Sequence, residues 1–211
     1  TNRVLLNGLK ALAIAHDRDA ALLRMRFLDG LQIHIVANRL NAAEPSIYRW
    51  QSQAIDRLAV VLWQQEQQVT AARVADLEAR LEPASYSQLF GVEPHQAALL
   101  DQLFAPAPAC LISISGIGGI GKTSLANSVA RAAIRRQPEA EVAWVSARRQ
   151  RFDFGGKVHN LSQPALTVET LLEALALQLL PGLPKFSAVD QAIAALRASF
   201  ARRPALLVVD N

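Results

Sequence analysis

Gly116-Ile-Gly-Gly-Ile-Gly-Lys-Thr123 is a complete G-x-x-x-x-G-K-[ST] phosphate loop. An apolar run, Cys110-Leu-Ile-Ser-Ile-Ser115, precedes it, and a helical pattern, Ser124-Leu-Ala-Asn-Ser-Val-Ala-Arg-Ala-Ala-Ile134, follows. Strand, loop and helix in that order are the setting the motif requires. Glycines let backbone N–H groups turn inward around a polyphosphate, and the helix N-terminus adds its positive dipole there. Gly116, Ile117, Gly118, Gly119, Ile120, Gly121, Lys122, Thr123 and Ser124 are therefore the expected cofactor-binding residues. The Lys122 ammonium is expected at the terminal phosphates and the Thr123 hydroxyl on Mg²⁺.

A second element fits the first. Arg202-Arg-Pro-Ala-Leu-Leu-Val-Val-Asp-Asn211 is a basic turn, an apolar strand and a terminal carboxylate, the Walker B pattern. Asp210 is expected to hold the Mg²⁺ through its water shell, across from Thr123, and to act with Lys122 as the catalytic pair.

The second half alternates apolar strands (110–115, 141–146, 205–210) with helices (122–136, 167–180, 188–201). This predicts an α/β P-loop NTPase fold built on a parallel sheet, incomplete in this chain. The stretch 147–164, with Arg148-Arg-Gln-Arg151 and Gly155-Gly156, reads as a surface loop. The chain begins at Thr1 without Met and stops just after the carboxylate strand, so a fragment, truncated after Walker B, is expected.

The first half is helical. Asp19–28 and 31–40 are apolar at helical spacing, Asn41-Ala-Ala43 breaks the pattern, and a helix resumes at Glu44 with Pro45 in its first turn. Two helices about such a turn predict an all-α helix-turn-helix domain over 1–60. A connecting helix is expected over 61–84 and the nucleotide-binding domain over 85–211. Val61, Leu62, Val69, Val74, Leu77 and Leu81 form a stripe that either packs on a neighbour or lines a solvated connector.

Composition narrows the class. With 51% hydrophobic residues the chain should fold, and no run of about eighteen apolar residues predicts a membrane span. The opening residues lack the long apolar core of a signal peptide. A single cysteine, Cys110, excludes an internal disulfide framework and any cysteine-rich zinc site. Together these point to a cytoplasmic protein. Net charge is +4, split as −1 over residues 1–104 and +5 over 105–211. The basic excess thus belongs to the half with the phosphate loop and does not by itself indicate nucleic acid. His16, His34, His95 and His159 share no metal-ligand spacing.

From 86 to 211 the chain resembles the NB-ARC branch of the bacterial STAND signalling ATPases. The resemblance rests on Gly116–Ala126, Val142-Ala-Trp-Val-Ser146, Leu171-Leu-Glu-Ala-Leu-Ala-Leu-Gln-Leu179 and Leu206–Asn211. Leu89-Phe-Gly-Val-Glu93 is similar to that family's adenine-side segment, which implies contacts from Phe90 and Gly91; Val92 stands where the family carries arginine. Asn211 stands where a second acidic residue often follows, which implies slow hydrolysis.

Residues 19–60 resemble the promoter-reading fourth region of bacterial sigma factors, through Leu22-Leu-Arg-Met-Arg-Phe-Leu-Asp-Gly30, Ile33, Ile35-Val-Ala37, Leu40, Ser46-Ile-Tyr-Arg49 and Ala54-Ile-Asp-Arg-Leu58. That resemblance turns Ile47, Gln51, Ala54 and Leu58 inward and Ser46, Tyr48, Arg49, Ser52 and Gln53 outward. Arg49 and Gln53 are then placed to read base edges, and Arg39 and Arg57 to touch phosphates. Residues 39–57 carry a net charge of only +1, a weak electrostatic footprint for DNA, and Tyr48 and Trp50 equally suit a protein interface.

The expectation is an ATP- or ADP-binding, Mg²⁺-dependent switch that carries a duplex-DNA-binding module and self-associates through its nucleotide domain. The alternatives are an immune-type scaffold whose helical module recruits protein, and an ATPase with constitutive turnover.

Overall fold

The computed structural model describes residues 2–108, 111–148, 150–152, 158–160, 167–182 and 188–211, the short pairs 150–152 and 158–160 by backbone alone. Cys110, Arg149 and the Gly155-Gly156 pair lie outside these residues. The chain divides into two compact units, Thr1–Ala72 and Arg73–Asn211.

Helices build the first unit: α1 (Asn2–Ala15), α2 (Asp17–Leu23) with a π-helical turn over Arg24–Leu28, α3 (Ile33–Arg39), and α4, which starts at Glu44 and ends at Ala79. Adjacent positions of α2 serve two clusters. Leu23 and Ala20 meet Leu12 of α1 and Ala54 of α4, whereas Leu22 meets Val36, Ala37 and Ile47. Gly30 (φ 66°) reverses the chain after the π-helical turn. Asn41 (φ 48°) does the same between α3 and α4, a left-handed position that asparagine tolerates. The two helices expected on either side of the break at Asn41-Ala-Ala43 are present as α3 and the start of α4, joined by residues 40–43.

α4 is one helix of 36 residues. Its stripe divides between the units. Val61 packs on the Leu12 cluster, while Leu77, with Leu81 just past the helix end, lies in the core of the second unit. Val69, between them, is 68% exposed. Of the two readings of this stripe, packing holds at its ends and solvation at its middle. No helix among the described residues is long and apolar enough to cross a membrane.

The second unit continues with α5 (Glu93–Leu103), α6 (Lys122–Arg136), β1 (Glu141–Ser146), β2 (Gln150–Phe152), β3 (Val158–Asn160), α7 (Val168–Leu179), α8 (Val189–Phe200) and β4 (Ala205–Asp210). β1 and β4 pair in parallel, Glu141 opposite Ala205 and Ser146 opposite Asp210. Alternation along β1 sends Val142 and Trp144 toward Ala130 and Ile134 of α6 and Leu77, and sends Ala143 and Val145 toward Leu175, Leu179 and Leu196. Burial on both faces explains the unbroken apolar run in β1. The Gln178 amide donates to the Trp144 carbonyl at 2.9 Å and accepts its N–H at 3.1 Å, so a side chain serves the backbone of β1 where it does not meet β4.

Two expectations need correction. The apolar run at 110–115 is not a strand in its described part: residues 111–116 are irregular and Leu111 is 88% exposed. Alternation supplies a face, but a strand also needs a neighbouring backbone, and β4 pairs with β1 alone among the described residues. Conversely, the stretch expected as loop at 147–164 holds the antiparallel pair β2–β3. Its polar sequence carries no period-two hydrophobic signal, while backbone pairing needs none. The observed fold is thus a helical unit and a small two-stranded parallel sheet flanked by helices.

Candidate phosphate-loop site and helix-turn-helix face

Gly121 caps α6 with φ 96° and Gly119 has φ 79°, left-handed conformations that other residues enter only with strain. Gly121 offers no side-chain cap, so the first N–H groups of α6 are left without one. Lys122 Nζ donates to the carbonyls of Gly116 and Ile117, at 2.9 Å each, and thereby folds the loop on its own lysine. Gly116, Gly118 and Gly119 are exposed, as are Ile117 (75%) and Ile120 (65%).

Thr123 Oγ1 donates to Asp210 Oδ1 at 2.7 Å, joining positions 87 residues apart. Asp210 is buried, and Arg148 Nη2 lies 2.6 Å from its other oxygen, Oδ2. That contact is an ion pair without hydrogen-bond geometry, for Oδ2 has no hydrogen-bond partner among the described residues. The same Arg148 nitrogen donates to Glu82. Hydroxyl and carboxylate oxygens side by side, one of them short of a donor, fit a hard cation such as Mg²⁺. No group of three or more His, Cys, Asp or Glu side chains gathers for a metal among the described residues, so phosphate oxygens and water would complete its shell.

Around α6 a polar network forms that the sequence did not announce. Asn127 is 2% exposed; its amide donates to the Glu82 carbonyl at 2.7 Å. Its oxygen accepts from Tyr86 at 3.2 Å and from Arg131 at 2.9 Å. Burial raises the Tyr86 pKa above its ordinary value, against the pull of Arg131. Ser85 Oγ meets Ser124 Oγ at 3.4 Å. Phe90 and Gly91 sit in the loop before α5, Phe90 78% exposed, and no hydrogen bond ties either to 116–124 among the described residues. A cavity of ≈ 260 Å³ lined by Phe104, Ile134, Val142 and Leu206 opens at the starts of β1 and β4, the end opposite Asp210.

In the helical unit, Ile47 and Ala54 are fully buried and Gln51 accepts from Arg26 Nε at 3.1 Å, as the inward set requires. Tyr48, Arg49, Ser52 and Gln53 are exposed, whereas Ser46 is half-buried. Arg39 is exposed; Arg57 is ion-paired with Asp19, so its charge is already answered. Trp50 packs on the Val36 cluster beneath the Arg18 guanidinium, 3.8 Å from its ring centroid, which leaves Tyr48 as the aromatic on the outer face.

No family model matches the chain, and neither a curated protein nor a solved structure matches it significantly.

Sequence reasoning placed Arg148 in an arginine run that could contact a phosphate or a partner but read better as a solvated loop, and it missed Glu82 and Asn127. A usable signal existed for the arginine. Arg148 lies two residues beyond the end of β1, whose parallel neighbour ends in Asp210, and ligands of open α/β sheets gather at those strand ends. Glu82 fell within the expected connecting helix 61–84, and Asn127 was one polar residue in the helical pattern 124–134.

Proposed function

We propose that the chain binds an adenine nucleotide with Mg²⁺ on residues 116–124 and uses the bound state as a switch. The observation that carries this is the 2.7 Å hydrogen bond between Thr123 and Asp210, which brings the two halves of the motif together. The α6 N-terminus and glycine backbone would receive the phosphates, and Lys122 would leave its loop carbonyls for them. Mg²⁺, when bound, would neutralise phosphate charge beside Thr123 and Asp210. Calorimetry of Lys122→Ala and Thr123→Ala with ATP and ADP tests the site: each should lose at least tenfold in affinity, as expected for a charge-assisted contact of roughly 1.5–3 kcal/mol. Wild-type affinity in both would discard the assignment. Turnover would be slow, because Asn211 cannot serve as a carboxylate base; a rate in the range of about 1–100 s⁻¹ would contradict this.

The helical module would be the output of a cytoplasmic regulator, with Arg39, Arg49, Ser52 and Gln53 facing duplex DNA and self-association of the nucleotide domain gathering several modules. One observation favours a second reading, recruitment of a protein: Tyr48 (56%) and Ile55 (43%) are exposed on the same helix, an aromatic–aliphatic pair better suited to a protein surface than to phosphate.

A further inference from the structure

The Thr123–Asp210 pair already has a cation beside it. Arg148 Nη2 stands 2.6 Å from Asp210 Oδ2 and also donates to Glu82, so one guanidinium bridges two carboxylates that are only 10% and 12% exposed. Arg148 is itself 28% exposed, and its Nε is buried with no hydrogen-bond partner among the described residues. Its backbone N–H rests on Ser146 Oγ at 3.3 Å, at the end of β1, so the side chain starts from a fixed point. A divalent ion on Thr123 and Asp210 would meet this guanidinium across one carboxylate, and two cations that close repel strongly in a partly buried site.

We propose that Arg148 is the resident cation of the metal position, and that Mg²⁺–nucleotide enters by displacing its guanidinium from Asp210 onto Glu82. The proposal rests on the nucleotide reading above. Glu82 lies just past the end of α4, and its carbonyl is bound to Asn127 of α6. The displaced arginine would therefore change charge balance at the joint between α4 and the phosphate-loop helix. Nucleotide state would be felt there as well as in the loop.

The experiment titrates Mg²⁺ into the full chain with a fluorescent ADP analogue, for the wild type, Arg148→Gln and Glu82→Gln. In Arg148→Gln the cation beside Asp210 is gone, so the Mg²⁺ concentration for half-loading should fall roughly tenfold. In Glu82→Gln the arginine keeps Asp210 alone and has nowhere to withdraw, so the midpoint should rise. Opposite shifts are not what simple loss of packing would give. Wild-type midpoints in both variants would overturn the proposal and leave the nucleotide site standing. Should Arg148→Gln fail to fold, the rise in Glu82→Gln decides alone, and its absence overturns the proposal. If no form takes up the analogue at any Mg²⁺ concentration, the nucleotide reading falls and this proposal with it.

Discussion

Asn127 and Lys122 show how differently two polar side chains on one helix can act. Asn127 is buried and holds three partners at once, the Glu82 carbonyl, Tyr86 and Arg131. Asn127→Ala leaves a buried carbonyl without its donor and two donors without their acceptor, so unfolding free energy should drop by about 2 kcal/mol. Urea denaturation checks this: the midpoint should fall with the slope unchanged, and a shift within about 0.5 kcal/mol would show the network to be dispensable. Lys122 spends two of its three donors on exposed loop carbonyls, where water substitutes freely. Lys122→Ala should therefore cost about 0.5 kcal/mol or less in the same assay while removing nucleotide affinity. Stability effects are thus expected of the first residue and, on the proposed function, binding effects of the second, although only the second was legible in the sequence. A motif announces its lysine by spacing; a buried asparagine is announced only by what folds over it.

Legibility changes in kind at the level of whole elements. The strands 141–146 and 205–210 and the helix 122–136 were readable to the residue because each carries its own burial pattern and its own stops. Residues 111–116 carry an equally good pattern yet form no strand, since pairing is a property of two segments and no single run encodes it. The pair β2–β3 is the mirror case, with pairing present and pattern absent. The α4 stripe adds a third lesson: one helical periodicity served two cores. Leu77 is fully buried against Ala130, Ile134 and Val142, so Leu77→Ala should destabilise the chain by about 2–5 kcal/mol. Val69, two turns earlier on the same stripe, is 68% exposed, and Val69→Ala should fall within about 0.5 kcal/mol of wild type. Thermal melts of the two variants would separate them; equal losses would mean that the middle of α4 is buried after all.

For the molecule as a whole, charge on the helical unit decides between its two readings. Three arginines were expected to meet phosphate or base, but Arg57 is spent on Asp19. Arg39 and Arg49 remain exposed and form no ion pair among the described residues. Each phosphate neutralised contributes about −0.9 to the slope of log affinity against log salt, so with Arg49 turned to a base edge the one contact from Arg39 gives a slope of about −1 for the wild-type chain. The internal pair supplies the sharper test. Asp19→Asn removes the carboxylate that holds Arg57, returns one guanidinium to the surface and should steepen the slope by about 1. Arg57→Ala, by contrast, should leave the slope of the wild type as it is, because that charge was never offered to DNA. Fluorescence anisotropy of the three chains on one duplex, across a salt series, measures all three slopes. A steeper slope in Asp19→Asn alone would place DNA on the face that carries Arg57. If none of the chains binds a duplex even at low salt, the DNA reading falls, and the proposed function keeps only its second form, with the exposed Tyr48 and Ile55 as the surface for a protein partner.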